Sequence, residues 1–339
     1  MSASYDVPDM RGKVALVAGA TRGTGRGIAV ALGEAGATVY CTGRSSRLTR
    51  RKPRTQPATG EAILDLASRL ETIEETAERV TARGGEGIAV VVDHSSPSAV
   101  HRLVERIRKE HGRLDLLVND IWGGDALLEF GKAFWELDLQ KGFHMIEGAL
   151  HTHIITCHFA APLLIEAAKE SKCGLIVEVT DGDSYQYRGN FFYDLVKTTV
   201  IRMAFVLARE LRHKNVAAVA LTPGFLRSEV ILEQLGVTEA NWQTAVSRNP
   251  DFAESETPIY TGRAVVKLAA DPNIAEKSGR VFSSWGLADE YDFCDSDGRK
   301  PNWGKHVQGK YGDVTKPCDE EFYKYWMGGM MDTILANWP

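Results

Sequence analysis

The chain is poor in the features that mark most specialised protein classes. Its 339 residues hold only five cysteines, Cys41, Cys157, Cys173, Cys294 and Cys318, scattered and without a C-x-x-C pair. That excludes a disulfide scaffold and a cysteine zinc motif, and it points to a reducing compartment. Basic charge is not in excess, since 40 Lys and Arg face 45 Asp and Glu for a formal charge of −5. No global field draws such a chain onto nucleic acid or anionic lipid. Nowhere do about 18 apolar residues run together, and the start MSASYDVPDM lacks the pattern of a secretory leader. The expectation is a cytoplasmic protein with neither nucleic-acid nor membrane partners. Internal repeats and low-complexity tracts are also missing. What is there, 44% hydrophobic, 25% charged and 9% aromatic residues, is the composition of a soluble globular chain.

Apolar runs alternate with helical patterns. Val14 to Ala18 reads as a strand, Gly19 to Gly27 as a glycine-rich turn and Ile28 to Gly36 as a helix. The alternation continues through Thr38 to Thr42, Ser68 to Arg83, Gly87 to Val92, Pro97 to His111 and Leu114 to Asn119. It goes on with Leu150 to Ser171, Gly174 to Thr180, Phe192 to Arg212 and Val216 to Leu221, and closes with Gly262 to Ala270 and Gly279 to Ser283. Uniformly apolar strands joined by helical crossovers predict an α/β, doubly wound parallel sheet covered on both faces. Residues 1–286 are expected to form that domain, with a substrate loop near 225–260. Two segments lie outside the rhythm. Arg44 to Arg54 carries six basic residues in eleven and reads as an exposed loop. The extension 287–339 is rich in aromatics (Tyr291, Phe293, Trp303, Tyr311, Phe322, Tyr323, Tyr325, Trp326, Trp338) and is expected to pack on the core or a neighbouring subunit rather than form a lid.

The turn reads Gly19-Ala20-Thr21-Arg22-Gly23-Thr24-Gly25, between a strand and a helix. Glycines there let the backbone turn sharply and approach a pyrophosphate closely, while the helix amino terminus supplies N–H donors and a positive dipole end. A dinucleotide site follows. An NAD-binding unit normally ends its second strand in an acid that bonds the ribose hydroxyls, but this chain reads Thr42-Gly43-Arg44 with Ser45 next. Arg44, with Arg22 in the turn, suits the 2′-phosphate of NADP. NADP(H) is therefore expected over NAD(H). Asp93 and, more loosely, His94 end the third strand where the adenine would sit.

Tyr193 and Lys197 form the only Tyr-x-x-x-Lys in the chain. The i, i+4 spacing puts both side chains on one helical face, just after the fifth strand. A neighbouring ammonium lowers a phenol's pKa and makes it a proton donor to a carbonyl during hydride transfer.

The glycine turn, Asp93, Leu117-Val118-Asn119-Asp120, the pair Tyr193 and Lys197, and Pro223-Gly224 ending in Ser228 together resemble the short-chain dehydrogenase/reductase family across roughly residues 10 to 285. Gly131 to Glu136, Asp271 to Ile274 and Asp297-Gly298-Arg299 look like one branch of it. The resemblance implies a Rossmann-type sheet of about seven strands, NAD(P)(H)-dependent redox chemistry, a small-molecule substrate and a homodimer or homotetramer. It places Asn119, Pro223, Gly224 and Ser228 at the cofactor, and Lys197 there as well as in catalysis.

Departures accompany the matches. Where the family has Asn-Asn-Ala-Gly, this chain has Asn119-Asp120-Ile121-Trp122. The family's substrate-orienting serine is replaced by Asp181 on one count and by Thr180 on another, so both stay candidates. A carboxylate there repels a developing oxyanion and suits an iminium cation better. The family's relay asparagine falls near Ala149. His151, His153 and His158 crowd that helix and read first as packing residues, with one of them standing in for the relay as the alternative, and no spacing completes a metal site. Asp183, Ser184, Tyr185, Tyr187 and Arg188 lie in the loop before Tyr193, in reach of a substrate. The reading is an NADPH-dependent reductase of a ketone, aldehyde or imine. The alternatives are an NADP(H)-binding sensor or scaffold without net turnover, and an epimerase or dehydratase using transient oxidation.

Overall fold

The computed structural model describes residues 5–49, 69–171, 173–183 and 186–312. Strand and helix alternate from the start: β1 (Val14–Ala18), α1 (Gly23–Glu34), β2 (Thr38–Gly43), α2 (Ile73–Ala82), β3 (Glu86–Val91), α3 (Pro97–His111) and β4 (Leu116–Asn119). Then follow α4 (Leu139–Ile146), α5 (Thr152–Ala167), β5 (Gly174–Val179), α6 (Phe191–Leu211), β6 (Val216–Thr222), α7 (Glu229–Gln234), α8 (Pro258–Ala270), α9 (Ile274–Lys277), β7 (Val281–Ser283), α10 (Ser284–Tyr291) and α11 (Trp303–Tyr311).

The seven strands form one parallel sheet in the order β3-β2-β1-β4-β5-β6-β7. It is the doubly wound, Rossmann-type sheet that the alternation predicts. Side chains alternate across it, as the two-residue strand period requires. Ala15 and Val17 face Ile28, Leu32, Val265 and Leu268 of α1 and α8. Val14 and Leu16 face Leu103, Ile107, Leu163 and Leu211 of α3, α5 and α6. Both faces are thus covered, and strand order reverses between β1 and β4, where such sheets open a crevice at the strands' carboxyl ends.

Local signals set several boundaries. The Ser96 side chain accepts from Ala99 N–H, Pro97 fills the first helical position, and Gly112 closes α3 in the left-handed region at φ 70°. The helix read from Leu150 begins earlier, at Leu139, and runs to Ala167 through a π-turn at Glu147–His151. Gly142 and Gly148 mask that earlier start, because glycine lowers local helix propensity. By length and composition alone this helix is apolar enough to cross a membrane. Its Ala160, Leu163 and Leu164 are buried in the cluster that covers one face of the sheet.

The described part of the extension lies on its own chain. Phe293 enters the core, 5.2 Å from the Tyr260 ring, and Trp303 meets Phe225 at 5.4 Å. Buried Arg227 ties the two segments together, reaching Glu239 at 3.0 Å, Ser255 O at 2.7 Å and Asp297 at 2.9 Å. The extension's aromatics Phe322, Tyr323, Tyr325, Trp326 and Trp338 lie outside the described residues, as do the loop positions 50–68.

Candidate active site

A cleft of about 1530 Å³ runs along the carboxyl edge of the sheet, from Arg44 and Asp93 at one end to Tyr193 and Lys197 at the other. That exceeds the ~300–1,000 Å³ of an ordinary small-molecule pocket and leaves room for two ligands end to end.

Its middle is the glycine turn. A Cβ on Gly19 would lie 2.3 Å from Asp120 O, and one on Gly25 would lie 2.4 Å from Gly19 O. Only glycine permits this approach of β1, α1 and β4. Thr21, Arg22, Gly23 and Thr24 face the cleft beside it, so the cradle fits a pyrophosphate at a helix amino terminus. Two carboxylates already use that positive end. Gly23 N–H donates to Glu229 Oε2 at 2.8 Å, tethering α7 to the turn, and Glu229 also pairs with Arg26 at 3.3 Å. Asp120 accepts from the Gly25 amide.

At the adenosine end, Arg44 and Ser45 line the cleft with Asp93 and Ser95. The Arg44 guanidinium leans across the cleft and comes within 3.3 Å of where a Cβ on Gly123 would be. Arg22 is more committed: its guanidinium faces Glu71 at 3.4 Å and Ser45 Oγ at 3.5 Å, and burial lowers its pKa. Burial opposes ionisation of Asp93, yet the Ser95 hydroxyl and amide hold its pKa below the usual carboxylate value.

Two cofactor candidates are placed differently from expectation. His94 borders the cleft, but its ring nitrogens lie 2.9 Å from both Thr42 Oγ1 and Thr156 Oγ1. Burial, and then nearby His153, push its pKa down to about 3. The imidazole is neutral and braces the sheet edge instead of offering a nitrogen to adenine. Asn119 points into the core, donating to Glu178 at 2.8 Å and Cys157 Sγ at 3.2 Å. It supports the floor of the site and does not line it.

At the reactive end, Asn190 caps α6 by accepting from Tyr193 N–H at 3.0 Å and donates to Glu129 O at 2.8 Å. Buried Arg188 locks the preceding loop through Asp181 O, Asp194 at 2.9 Å and Thr198 at 3.2 Å. Tyr193 Oη donates to Asp181 Oδ2 at 2.7 Å. Thr180 turns its hydroxyl to Lys197 O at 2.7 Å, so it anchors α6, and Asp181 takes the place beside the phenol. Of the two candidates for the serine position, Asp181 and not Thr180 faces the phenol. Burial first, then Asp181 and Asp125, raise the Tyr193 pKa well above that of a free phenol. Lys197 sits 4.8 Å over the Trp122 ring and 5.7 Å from that of Tyr193. Burial lowers its pKa against the pull of Asp181, Asp120 and Asp125. Asp120, half-buried at the cleft lining, has its pKa raised by desolvation to about 7 despite Lys197. Pro223, Gly224 and Ser228 close the far wall, with Ser228 capping α7.

Of the three histidines, His151 and His158 are exposed. His153 lies behind the floor, 2.6 Å from Glu178 and 3.1 Å from Ile121 O. Asp183 is exposed on the loop, with its carboxyl pKa raised by desolvation from the protein groups around it; Ser184 and Tyr185 lie outside the described residues. Among the described residues no His, Cys, Asp and Glu group has metal-binding geometry. Sequence reasoning missed Asp125, which accepts from Trp122 Nε1 at 2.6 Å, Glu229 and Glu256. The last is a buried acid behind Gly224, and single acids carry no spacing signal.

The family description "short chain dehydrogenase" matches residues 55–235. Dehydrogenase/reductase SDR family member 1 of Mus musculus is 36% identical over 297 residues, 86% of each chain. A short chain dehydrogenase from Mycobacterium thermoresistibile superposes with a TM-score of 0.67 over 87% of this chain and 92% of its own, at 19% identity. NADH-dependent reductase A1-R', solved with NAD, gives 0.58 over 80% and 95% at 16% identity. With the turn, the Tyr and Lys pair and the sheet order in one place, these matches show that the chain belongs to the short-chain dehydrogenase/reductase family.

Proposed function

We propose that this chain is an NADP(H)-dependent oxidoreductase that reduces the carbonyl or imine group of a small molecule. The observation that carries the reading is Tyr193 and Lys197 standing together at the end of a cleft whose middle is the glycine turn. Gly19, Thr21, Gly23, Thr24 and Gly25 shape the pyrophosphate seat, and Asp93 flanks the adenine. Arg44 at the end of β2, where an NAD-type site carries an acid, supports the preference for a 2′-phosphate, with Ser45 and Arg22 beside it.

A bound nicotinamide supplies the hydride. Tyr193 is the proton donor to a carbonyl oxygen or imine nitrogen. Lys197 favours the phenolate that this transfer leaves and bonds the nicotinamide ribose, while Asp181 orients the phenol. Pro223, Gly224 and Ser228 shape the nicotinamide end. The apolar side chains that Ile154, Leu195, Phe205 and Val206 expose on α5 and α6 support self-association into a homodimer or homotetramer.

The test is NADPH and NADH consumption by purified protein against ketones, aldehydes and cyclic imines, with product identification. The expected result is turnover with NADPH well ahead of NADH. NADPH binding without consumption across the panel would transfer the assignment to the sensor or scaffold reading, favoured then by a phenol already engaged with Asp181.

A further inference from the structure

We infer that the reactive pocket selects a substrate that is positively charged at its reacting nitrogen, an iminium ion or the ammonium form of the amine it becomes; this rests on the redox reading above. The group beside the phenol is an acid, and the phenol hydrogen is donated to it at 2.7 Å. A second carboxylate, Asp125, is fixed on the same wall by the Trp122 indole N–H at 2.6 Å, and its field reaches both Tyr193 and Lys197. The cations nearby are Lys197 and Arg188. Arg188 spends its charge on Asp194 at 2.9 Å. Asp120, on the turn side, binds a proton until about neutral pH. Two carboxyl groups, Asp181 at the phenol and Asp125 on the same wall, therefore face the single Lys197 side chain, and the arrangement suits a second cation. Trp122, Leu128, Phe130, Met145 and Phe225 add apolar surface to the lining, and beside them water competes less well with a seated cation.

The chemistry of the step agrees with this charge count. When hydride reaches the carbon of C=O, the π pair moves to oxygen, and the alkoxide must take a proton from Tyr193. That leaves a phenolate next to Asp181 and Asp125, in a pocket that already favours the neutral phenol. When hydride reaches the carbon of C=N⁺, the π pair moves to nitrogen and cancels a charge already present. The product is a neutral amine, no proton changes hands, and Tyr193 keeps its phenol hydrogen, donated to Asp181. The hydrogen and its electron pair come from a reduced nicotinamide dinucleotide, which is oxidised by two electrons. In the reverse direction the carboxylates stabilise the iminium as it forms.

The experiment pairs three probes of similar shape: N-methyl-3,4-dihydroisoquinolinium, a permanent cation; its amine product, N-methyl-1,2,3,4-tetrahydroisoquinoline, as the ammonium; and 1-tetralone, a neutral ketone. Calorimetric binding of the ammonium to wild type, Asp181→Ser and Asp181→Asn gives a readout free of turnover, and NADPH consumption gives the second. The expected result is that both variants bind the ammonium at least about tenfold more weakly. Their kcat/KM for the dihydroisoquinolinium falls alongside, while Asp181→Ser raises that for 1-tetralone. Unchanged ammonium binding in both variants overturns the inference. Wild type that reduces 1-tetralone but neither binds the ammonium nor reduces the cation overturns the inference and leaves the redox reading standing. Wild type that binds NADPH yet consumes it with no probe overturns the redox reading instead.

Discussion

Glu256 offers a quantitative test of how the cleft wall is built. Its side chain is 1% exposed and accepts hydrogen bonds from Thr261 Oγ1 at 2.8 Å and Ser284 Oγ at 2.6 Å, with the Gly224 amide as a third donor. Burial raises its pKa from 4.5 to about 7 despite those donors, and the nearby Asp295 charge adds to the rise. In the folded state the carboxyl therefore keeps a proton that the unfolded chain has already lost. Between pH 4.5 and about 7 the folded state binds more protons, so stability falls as pH rises through that window and levels off above it. At ~1.36 kcal/mol per pH unit the full loss is roughly 3 kcal/mol.

Glu256→Gln reproduces the neutral form: its oxygen accepts from Ser284 and the Gly224 amide, and its NH₂ donates to Thr261. The variant is expected to match wild type near pH 5 and to exceed it near pH 8 by about 1–3 kcal/mol. Urea denaturation at several pH values measures the difference, and subtracting the two curves removes titrations common to both, such as that of Asp120. Parallel curves for wild type and variant would refute a proton-bound Glu256.

Two other substitutions follow from the geometry. Arg44→Ala removes a charge-assisted contact of ~1.5–3 kcal/mol and should weaken NADPH roughly 10- to 150-fold with little change for NADH; equal losses, read by fluorescence titration, would reject the 2′-phosphate assignment. Arg227→Ala strands the fully buried Asp295 and the partly buried Asp297, and the expected loss is ~3–5 kcal/mol of unfolding free energy, whereas a change under about 1 kcal/mol would mean that the cluster does not hold the extension to the core.

Much of this was legible in the sequence because regular elements repeat. The strands of the sheet are continuous apolar runs, and α3 carries its capping serine, its proline and its terminal glycine in plain view, so its bounds agree with the structure. The glycine turn and Tyr193 with Lys197 were legible for a related reason: steric need and helical period impose a spacing. The early start of α4 was not, since Gly142 and Gly148 interrupt the pattern while tertiary packing overrides propensity. The partners of single polar residues were hidden too. Nothing near Asn119 in sequence announces Glu178 and Cys157, which lie on another strand and another helix, and His94 finds Thr42 and Thr156 only through the sheet register and α5. The choice between Thr180 and Asp181 needed a side-chain direction, and a one-residue step along the chain switches which group faces the phenol.

The measurement closest to the central claim is the Tyr193→Phe variant, assayed on the best carbonyl substrate together with NADPH affinity. The phenyl ring keeps the packing against Trp122, whose ring centre lies 5.3 Å away, and removes only the proton donor. The account predicts that kcat falls by ~10²–10⁴-fold while NADPH binds within a few-fold of wild type. Undiminished kcat would contradict it and take Tyr193 out of the chemistry.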